Sequence, residues 1–243
     1  MRIEAVTVCV GYADFLKAVI PHNRSLFDKW IIVTSPQDDE TRELCRRYGY
    51  TPILTTEFTR NGADFAKARA IRRGVEHTSA NTWILHLDAD IALPGHFRQA
   101  TEMADLDPAC IYGCDRGMIR GWDNWQRLLN SGYLQHDYHC RMRLPDFAPI
   151  GDRWASEFNG YVPIGFFQMW HSTADLHRGM RSRPYPTEHN DAARCDVQHA
   201  LQWDRRDRRL FPEVFAIHLE SEPADLGANW KGRKTKPFGP PKK

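Results

Sequence analysis

The chain has 243 residues, 33 of them Lys or Arg and 31 Asp or Glu, for a net charge of +2. A chain of this length buries about 70–75% of its unfolded surface, so folding needs neither a disulfide nor a structural metal, and the near balance of charge excludes a histone-like polycation. Hydrophobic residues at 42% and charged residues at 26% exclude a wholly disordered chain, and no apolar run approaches the roughly 18 residues of a membrane helix.

The start, Met1-Arg2-Ile3-Glu4, lacks the features of a signal peptide, so an intracellular protein is expected. Ala5 to Val10 is apolar and β-branched and predicts a buried strand. Asp14 to Ile20 predicts a helix that stops at Pro21. Trp30 to Val33 is a second strand, followed by Asp38-Asp39 as an N-cap, a helix to Tyr48 and Gly49 at its C-terminal stop. Thr51 to Leu54 is a third strand. Ala63 to His77 predicts a helix with Phe65, Ala68, Ile71 and Val75 on one side, and Thr82 to Leu87 a fourth strand. This alternation predicts an α/β fold, a mostly parallel sheet flanked by helices in a single domain, with ligands bound beyond the carboxyl ends of its strands.

The second half is less periodic. Residues 115–156 mix Arg, His, Gly and aromatics, with a short helix expected near 122–130. Tyr161 to Trp170 is expected to be extended, Asp191 to Arg206 helical and Val214 to Leu219 a strand. From Ser221 the chain is expected to be loop, ending in a frayed tail with Pro237, Pro240 and Pro241. The six cysteines (9, 45, 110, 114, 140 and 195) are expected to be free buried thiols. A zinc site assembled from Cys110, Cys114, His136, His139 and Cys140 has a spacing that matches no standard ligand pair.

The sharpest chemical feature is Asp88-Ala89-Asp90, at the end of the fourth strand. In an extended chain residues two apart face one side, so both carboxylates converge at the rim where such sheets bind ligands. Paired hard oxygens of this kind suit Mg²⁺ or Mn²⁺ with substrate phosphate. The alternative is two acids capping a turn before Pro94-Gly95. Asp105-Leu106-Asp107 has the same spacing but follows a helix-like stretch, so position separates the two.

The alternating first half, Phe65-Ala66-Lys67-Ala68-Arg69-Ala70 and the strand ending in Asp88-Ala89-Asp90 resemble family 2 glycosyltransferases of the GT-A fold. Pro163-Ile164-Gly165-Phe166-Phe167-Gln168 and His218-Leu219 with Asn229-Trp230-Lys231-Gly232-Arg233 are similar to the small, phage-type members. Ala66 stands where the family usually has asparagine. The resemblance covers most of 3–100 and 160–235, and implies a nucleotide-sugar-binding half (1–108), an acceptor half (109–230) and a basic tail (231–243).

The resemblance also implies roles. Asp88, Asp90 and His218 would hold Mn²⁺ or Mg²⁺ against the donor diphosphate, with UDP as the implied carrier. Asp38 or Asp39 would meet the base or ribose, the alternative being a helix cap. Lys67, Lys231 and Arg233 would contact the donor. The family inverts the anomeric centre, so a carboxylate must take the acceptor's proton. Cys195-Asp196-Val197-Gln198-His199-Ala200 fits best, making Asp196 the base, with Asp191 and Glu188 as fallbacks because Cys195 replaces the usual preceding acid.

Other readings fit less well. A sugar-nucleotide pyrophosphorylase needs a Gly-rich loop that Val10-Gly11-Tyr12-Ala13-Asp14 does not supply, and a metal-dependent phosphodiesterase needs more clustered His and Asp. A non-catalytic nucleic-acid-binding module would use Arg120, Trp122, Trp125, Arg127, Tyr133, Tyr138, Arg141 and Arg143, which interleave cations with aromatics. For the enzyme, the phage-type resemblance implies a hydroxymethylated base in DNA as the favoured acceptor, the alternative being a glycan or lipid-linked chain. Lys231, Arg233, Lys234, Lys236, Lys242 and Lys243, with no acid among residues 227–243, would track phosphates. The phage-type resemblance leaves open a virus-encoded protein acting in a host cytoplasm.

Overall fold

The computed structural model describes residues 1–135, 144–173, 184–225 and 227–241. In chain order the elements are β1 (Ile3–Val8), α1 (Ala13–Asn23), β2 (Lys29–Thr34), α2 (Asp39–Arg47), β3 (Ile53–Leu54), α3 (Lys67–Val75), β4 (Trp83–Leu87), β5 (Ile91–Ala92), α4 (Phe97–Met103), β6 (Ile111–Arg120), α5 (Trp122–Asn130), β7 (Ala155–Ser156), β8 (Gly160–Tyr161), β9 (Phe167–His171), α6 (Cys195–Ala200) and β10 (Arg208–Glu220). Among the described residues eight strands form one sheet in the order β3-β2-β1-β4-β9-β6-β10-β5, while β7 and β8 make a small separate hairpin. β1 runs parallel to β2 and β4, and β10 to β6; β9 and β5 are antiparallel to their neighbours.

Both faces of the sheet are covered, which is why its central strands are apolar throughout. Along β4, Trp83, Leu85 and Leu87 enter one core with Phe15, Ile20 and Phe97, whereas Ile84 enters the other with Ile71 and Ala200. Helix α3 lies close on β1 and β2. A Cβ at Gly74 would collide with Val6 Cγ1 and stand 2.9 Å from Val33 Cγ2.

The order of strands has a consequence for the site. Three strands separate β4 from β5 in the sheet, yet only Asp88-Ala89-Asp90 joined by one short turn connects them. So few residues span at most about 14 Å. The sheet therefore curls until the carboxyl end of β10 meets the end of β4. There β5 pairs with β10, His218 standing opposite Ile91, and Leu219 N–H donates to the Asp90 carbonyl at 2.9 Å.

Several expectations change. Pro21 does not end α1; it lies inside the last turn, where the chain continues to Asn23 and Arg24 N–H bonds the Ile20 carbonyl. A proline this near the end removes one donor without breaking the turns before it. The helix expected from 191 to 206 shrinks to six residues, and that from 63 to 77 begins only at Lys67. The stretch expected to be irregular from 115 begins inside β6, which runs to Arg120. The segment after Ser221 is loop, but it does not fray before Phe238, whose ring is buried and stacks on Phe15 at 4.7 Å. Among the described residues no helix is long and apolar enough to cross a membrane.

Candidate functional site

Asp88 and Asp90 do not lie on an extended strand. They form a turn, closed by Ile91 N–H on the Asp88 carbonyl, so the expected shared face is not how they meet the site. Each has its own partner instead. Asp88 Oδ1 accepts from Lys67 Nζ at 2.6 Å and lies 3.4 Å from His86 Nε2. Asp90 Oδ2 lies 3.4 Å from His218 Nε2. Burial disfavours both charges of the Lys67–Asp88 pair, but their mutual attraction outweighs it. The Lys67 pKa is raised, and Asp88 is held well below the usual carboxylate range.

Asp90 Oδ1 and His218 Nδ1 are buried without a hydrogen-bond partner. Carboxylate oxygen and imidazole nitrogen together form a donor set suited to Mn²⁺, and the free Asp90 oxygen faces no competing hydrogen. The Asp90–His218 pair therefore fits one side of a divalent ion. Among the described residues no three His, Cys, Asp or Glu side chains already converge on one point. Of the zinc alternative, Cys110 and Cys114 are free and buried, and burial pushes the Cys110 thiol up to about 11. Its partners His136, His139 and Cys140 lie outside the described residues, as do Tyr138, Arg141 and Arg143.

Asp196 reaches the same rim through the segment that leads into β9. Asp88 N–H donates to the Phe166 carbonyl at 3.1 Å, and the neighbouring Gly165 N–H donates to Asp196 Oδ2 at 2.5 Å. A Cβ at Gly165 would stand 2.8 Å from Asp196 Cβ and 2.9 Å from its Oδ2, so glycine is what admits the carboxylate. Asp191 instead accepts from Ala193 N–H in the loop before α6, and Glu188 is exposed beside His189.

The donor-side residues divide. Asp38 caps α2 through Thr41 N–H at 3.0 Å and also accepts from Thr41 Oγ1 and from Gly11 N–H at 2.8 Å, so its carboxylate holds the β1–α1 loop. Asp39 is exposed and pairs with Arg42. Arg233 is tied to Asp14 and to the Gly11 carbonyl, and lies over the rings of Tyr12 and Phe15. Lys231 is exposed, 3.7 Å from Asp64.

The aromatics expected to stack on nucleic acid are mostly interior. Trp125 and Tyr133 are in the core, Trp122 packs edge-on against Phe238, and Arg127 covers Phe147. The pattern of alternating cations and rings there is that of a helix and turn packed on the sheet. Sequence reasoning missed Arg116, on β6. Its guanidinium lies 4.4 Å from the Phe166 ring centre, and Phe166 stacks on His218. Burial lowers the Arg116 pKa, while Asp90 and Asp88 oppose the loss of charge. The signal available was Arg116 within a run that the glycines Gly113 and Gly117 made look irregular.

No protein-family model and no curated protein matches the chain. Solved structures do. Staphylococcus aureus TarS 1–349 matches 92% of this chain and 59% of its own, with a TM-score of 0.52 at 8% identity. A second S. aureus TarS structure matches 92% of this chain and 36% of its own, with a TM-score of 0.51 at 10% identity. The fold is of the GT-A type. The chain spans less than two thirds of the length of TarS. Glucosyl-3-phosphoglycerate synthase from Mycobacterium tuberculosis, crystallised with Mn²⁺, UDP-glucose and phosphoglyceric acid, matches only 47% of this chain at 14% identity with a TM-score of 0.33.

Proposed function

We propose that the chain is a glycosyltransferase that moves a sugar from a nucleotide-sugar donor, UDP-linked, to an acceptor hydroxyl with inversion. The observation that carries this reading is the joining of three separate segments at one strand rim. The acidic turn after β4, His218 of β10 and Asp196 of α6 are linked there through Phe166 and Gly165. Asp90, His218 and Asp88 would hold Mn²⁺ or Mg²⁺. A divalent ion there supplies neutralisation of the charge that grows on the departing diphosphate. Asp196, oriented by the Gly165 N–H, would take the acceptor hydroxyl's proton with the oxygen that the amide does not hold. Lys67 holds Asp88 ionised, and the Asp38–Gly11 bond orders the β1–α1 loop on the nucleoside side.

The acceptor tested first is a hydroxymethylated base in DNA, with a glycan or lipid-linked chain as the competing class. The first has less support than the local charge of +6 suggested. Arg233 is engaged by Asp14 and Lys236 by Glu222; Lys242 and Lys243 lie outside the described residues. The experiment is a screen of labelled UDP-sugars with Mn²⁺ against hydroxymethylcytosine DNA, hydroxymethyluracil DNA, unmodified DNA, glycans and lipid-linked sugars. Transfer to any hydroxyl that stops in EDTA is the expected result. Label entering neither modified DNA moves the acceptor to the second class. Turnover of no donor, by transfer or hydrolysis, overturns the enzyme reading.

A further inference from the structure

Behind the acidic turn runs a chain of buried polar groups that neither the metal ligands nor the base explains. His86 of β4 and Gln168 of β9 stand directly opposite each other in the antiparallel register, and both are fully buried. Strand alternation turns both towards the α3 and α6 face. Tyr185, also buried, joins them: its hydroxyl lies 2.9 Å from His86 Nδ1 and hydrogen-bonds Gln168 Oε1.

The hydrogen bonds assign the protons. Gln168 Nε2 donates to the Pro163 carbonyl at 2.8 Å and to the Asp196 carbonyl at 2.9 Å. Both amide hydrogens are then in use, and Oε1 can only accept. The Tyr185 hydroxyl therefore donates to Oε1, and its oxygen accepts from His86. His86 must carry its hydrogen on Nδ1. Its Nε2 lies 3.4 Å from Asp88 Oδ1, the oxygen that Lys67 holds, and in the neutral ring it turns a lone pair there. In this tautomer His86 cannot compete for Asp88.

We propose that Tyr185 and Gln168 are positioning residues that lock His86 in its Nδ1–H tautomer and tie it, through the Asp196 carbonyl, to the helix bearing the base. Asp88 is thereby kept available to Lys67 and to a cation, and its place is coupled to that of Asp196. Without the Tyr185 hydroxyl, His86 is free to move its hydrogen to Nε2 and donate to Asp88 Oδ1. The catalytic consequence rests on the glycosyl-transfer reading; the tautomer does not.

The test is Tyr185→Phe, which keeps the ring stacked on His199 at 4.0 Å. Nitrogen-15 NMR of the histidine rings, on the full chain without donor, is expected to show His86 as Nδ1–H in the wild type and as Nε2–H in the variant. Calorimetric titration with Mn²⁺ alone is expected to show affinity lowered about tenfold, the usual scale for losing a partner behind a ligand. In turnover, kcat should fall by a similar factor while the donor KM changes less than about threefold. If Tyr185→Phe does not fold, His86→Asn, whose side-chain amide still donates to Tyr185 and presents nothing to Asp88, is expected to keep Mn²⁺ affinity within about threefold. A wild-type His86 protonated on Nε2 overturns the inference, as does a tautomer unchanged in Tyr185→Phe, or His86→Asn losing tenfold or more. A tautomer that switches in a protein that transfers no sugar fails the proposed function and leaves this assignment standing.

Discussion

Asp88 and Asp90 are two residues apart and keep different company, Lys67 and His86 for one and His218 for the other. Their roles are therefore separable from that of Asp105, which is exposed. Asp88→Ala and Asp90→Ala are each expected to lower turnover by several orders of magnitude with the fold intact by circular dichroism, since metal neutralisation of a leaving group is worth several kcal/mol. Asp105→Ala is expected to leave turnover within about twofold; equal losses at 88 and 105 would remove the distinction. Asp196→Asn keeps an oxygen to accept from Gly165 but cannot take a proton. Transfer is expected to fall roughly 10²–10⁴-fold while donor affinity, measured by calorimetry, stays within a few fold. Normal transfer by Asp196→Asn beside a dead Asp191→Asn would assign the base to Asp191. The spacing of the two aspartates was legible in the sequence, but their separation was not, because it comes from a turn that β5 and β10 impose.

At the scale of elements, β6 shows why the middle of the chain resisted reading. Ile111 to Arg120 has no clean alternation because it packs against close neighbours through glycine: a Cβ at Gly113 would lie 2.9 Å from Pro163 Cβ, and one at Gly117 would lie 2.7 Å from Leu144 Cδ1. Its polar members, Asp115 and Arg116, pair with Arg153 or face the site. The segment after β10 shows the opposite error. Its prolines and cations read as a tail, whereas Phe238 packs between Phe15 and Trp122 and its N–H donates to Asp14. Phe238→Ala is expected to lower the melting temperature by several degrees, from the loss of about 3 kcal/mol of buried aromatic packing. Trypsin should then cut after Lys234 far faster than in the wild type; unchanged melting and cleavage would mean that the packing of this segment adds no stability.

Across the whole molecule, the N-terminal strand is held to the α4 side by one electrostatic clasp. Asp28 accepts from Ile3 N–H at 2.8 Å and from Arg98, which also donates to the Met1 carbonyl. The Arg98 hydrogen bonds hold the Asp28 carboxyl below its usual value, against a smaller opposing effect of burial. A carboxylate whose pKa is lower folded than unfolded stabilises above the unfolded value of about 4, and that contribution is lost as pH falls through the folded one. Asp28→Asn is therefore expected to melt below the wild type at pH 7, and the gap should close as pH drops below about 4. A gap that is constant with pH in thermal melts would show that the charge of Asp28 contributes nothing.

The sequence by itself determined the α/β alternation, the covered parallel strands β1, β2 and β4, the Asp38 cap and the local identity of the acidic pair. These follow from periodicity and capping, which act within a few residues. The tertiary structure decided which distant residues share the site. His218 reaches Asp90 because the sheet curls and β5 closes on β10, and Asp196 joins the segment that bonds the Asp88 backbone because Gly165 leaves room for it beside Phe166. It also decided that Trp125 and Tyr133 belong to the core rather than to a binding surface, and Phe238 to the core rather than to a frayed tail. Burial of an aromatic ring depends on what the rest of the chain places over it, and no local pattern carries that information.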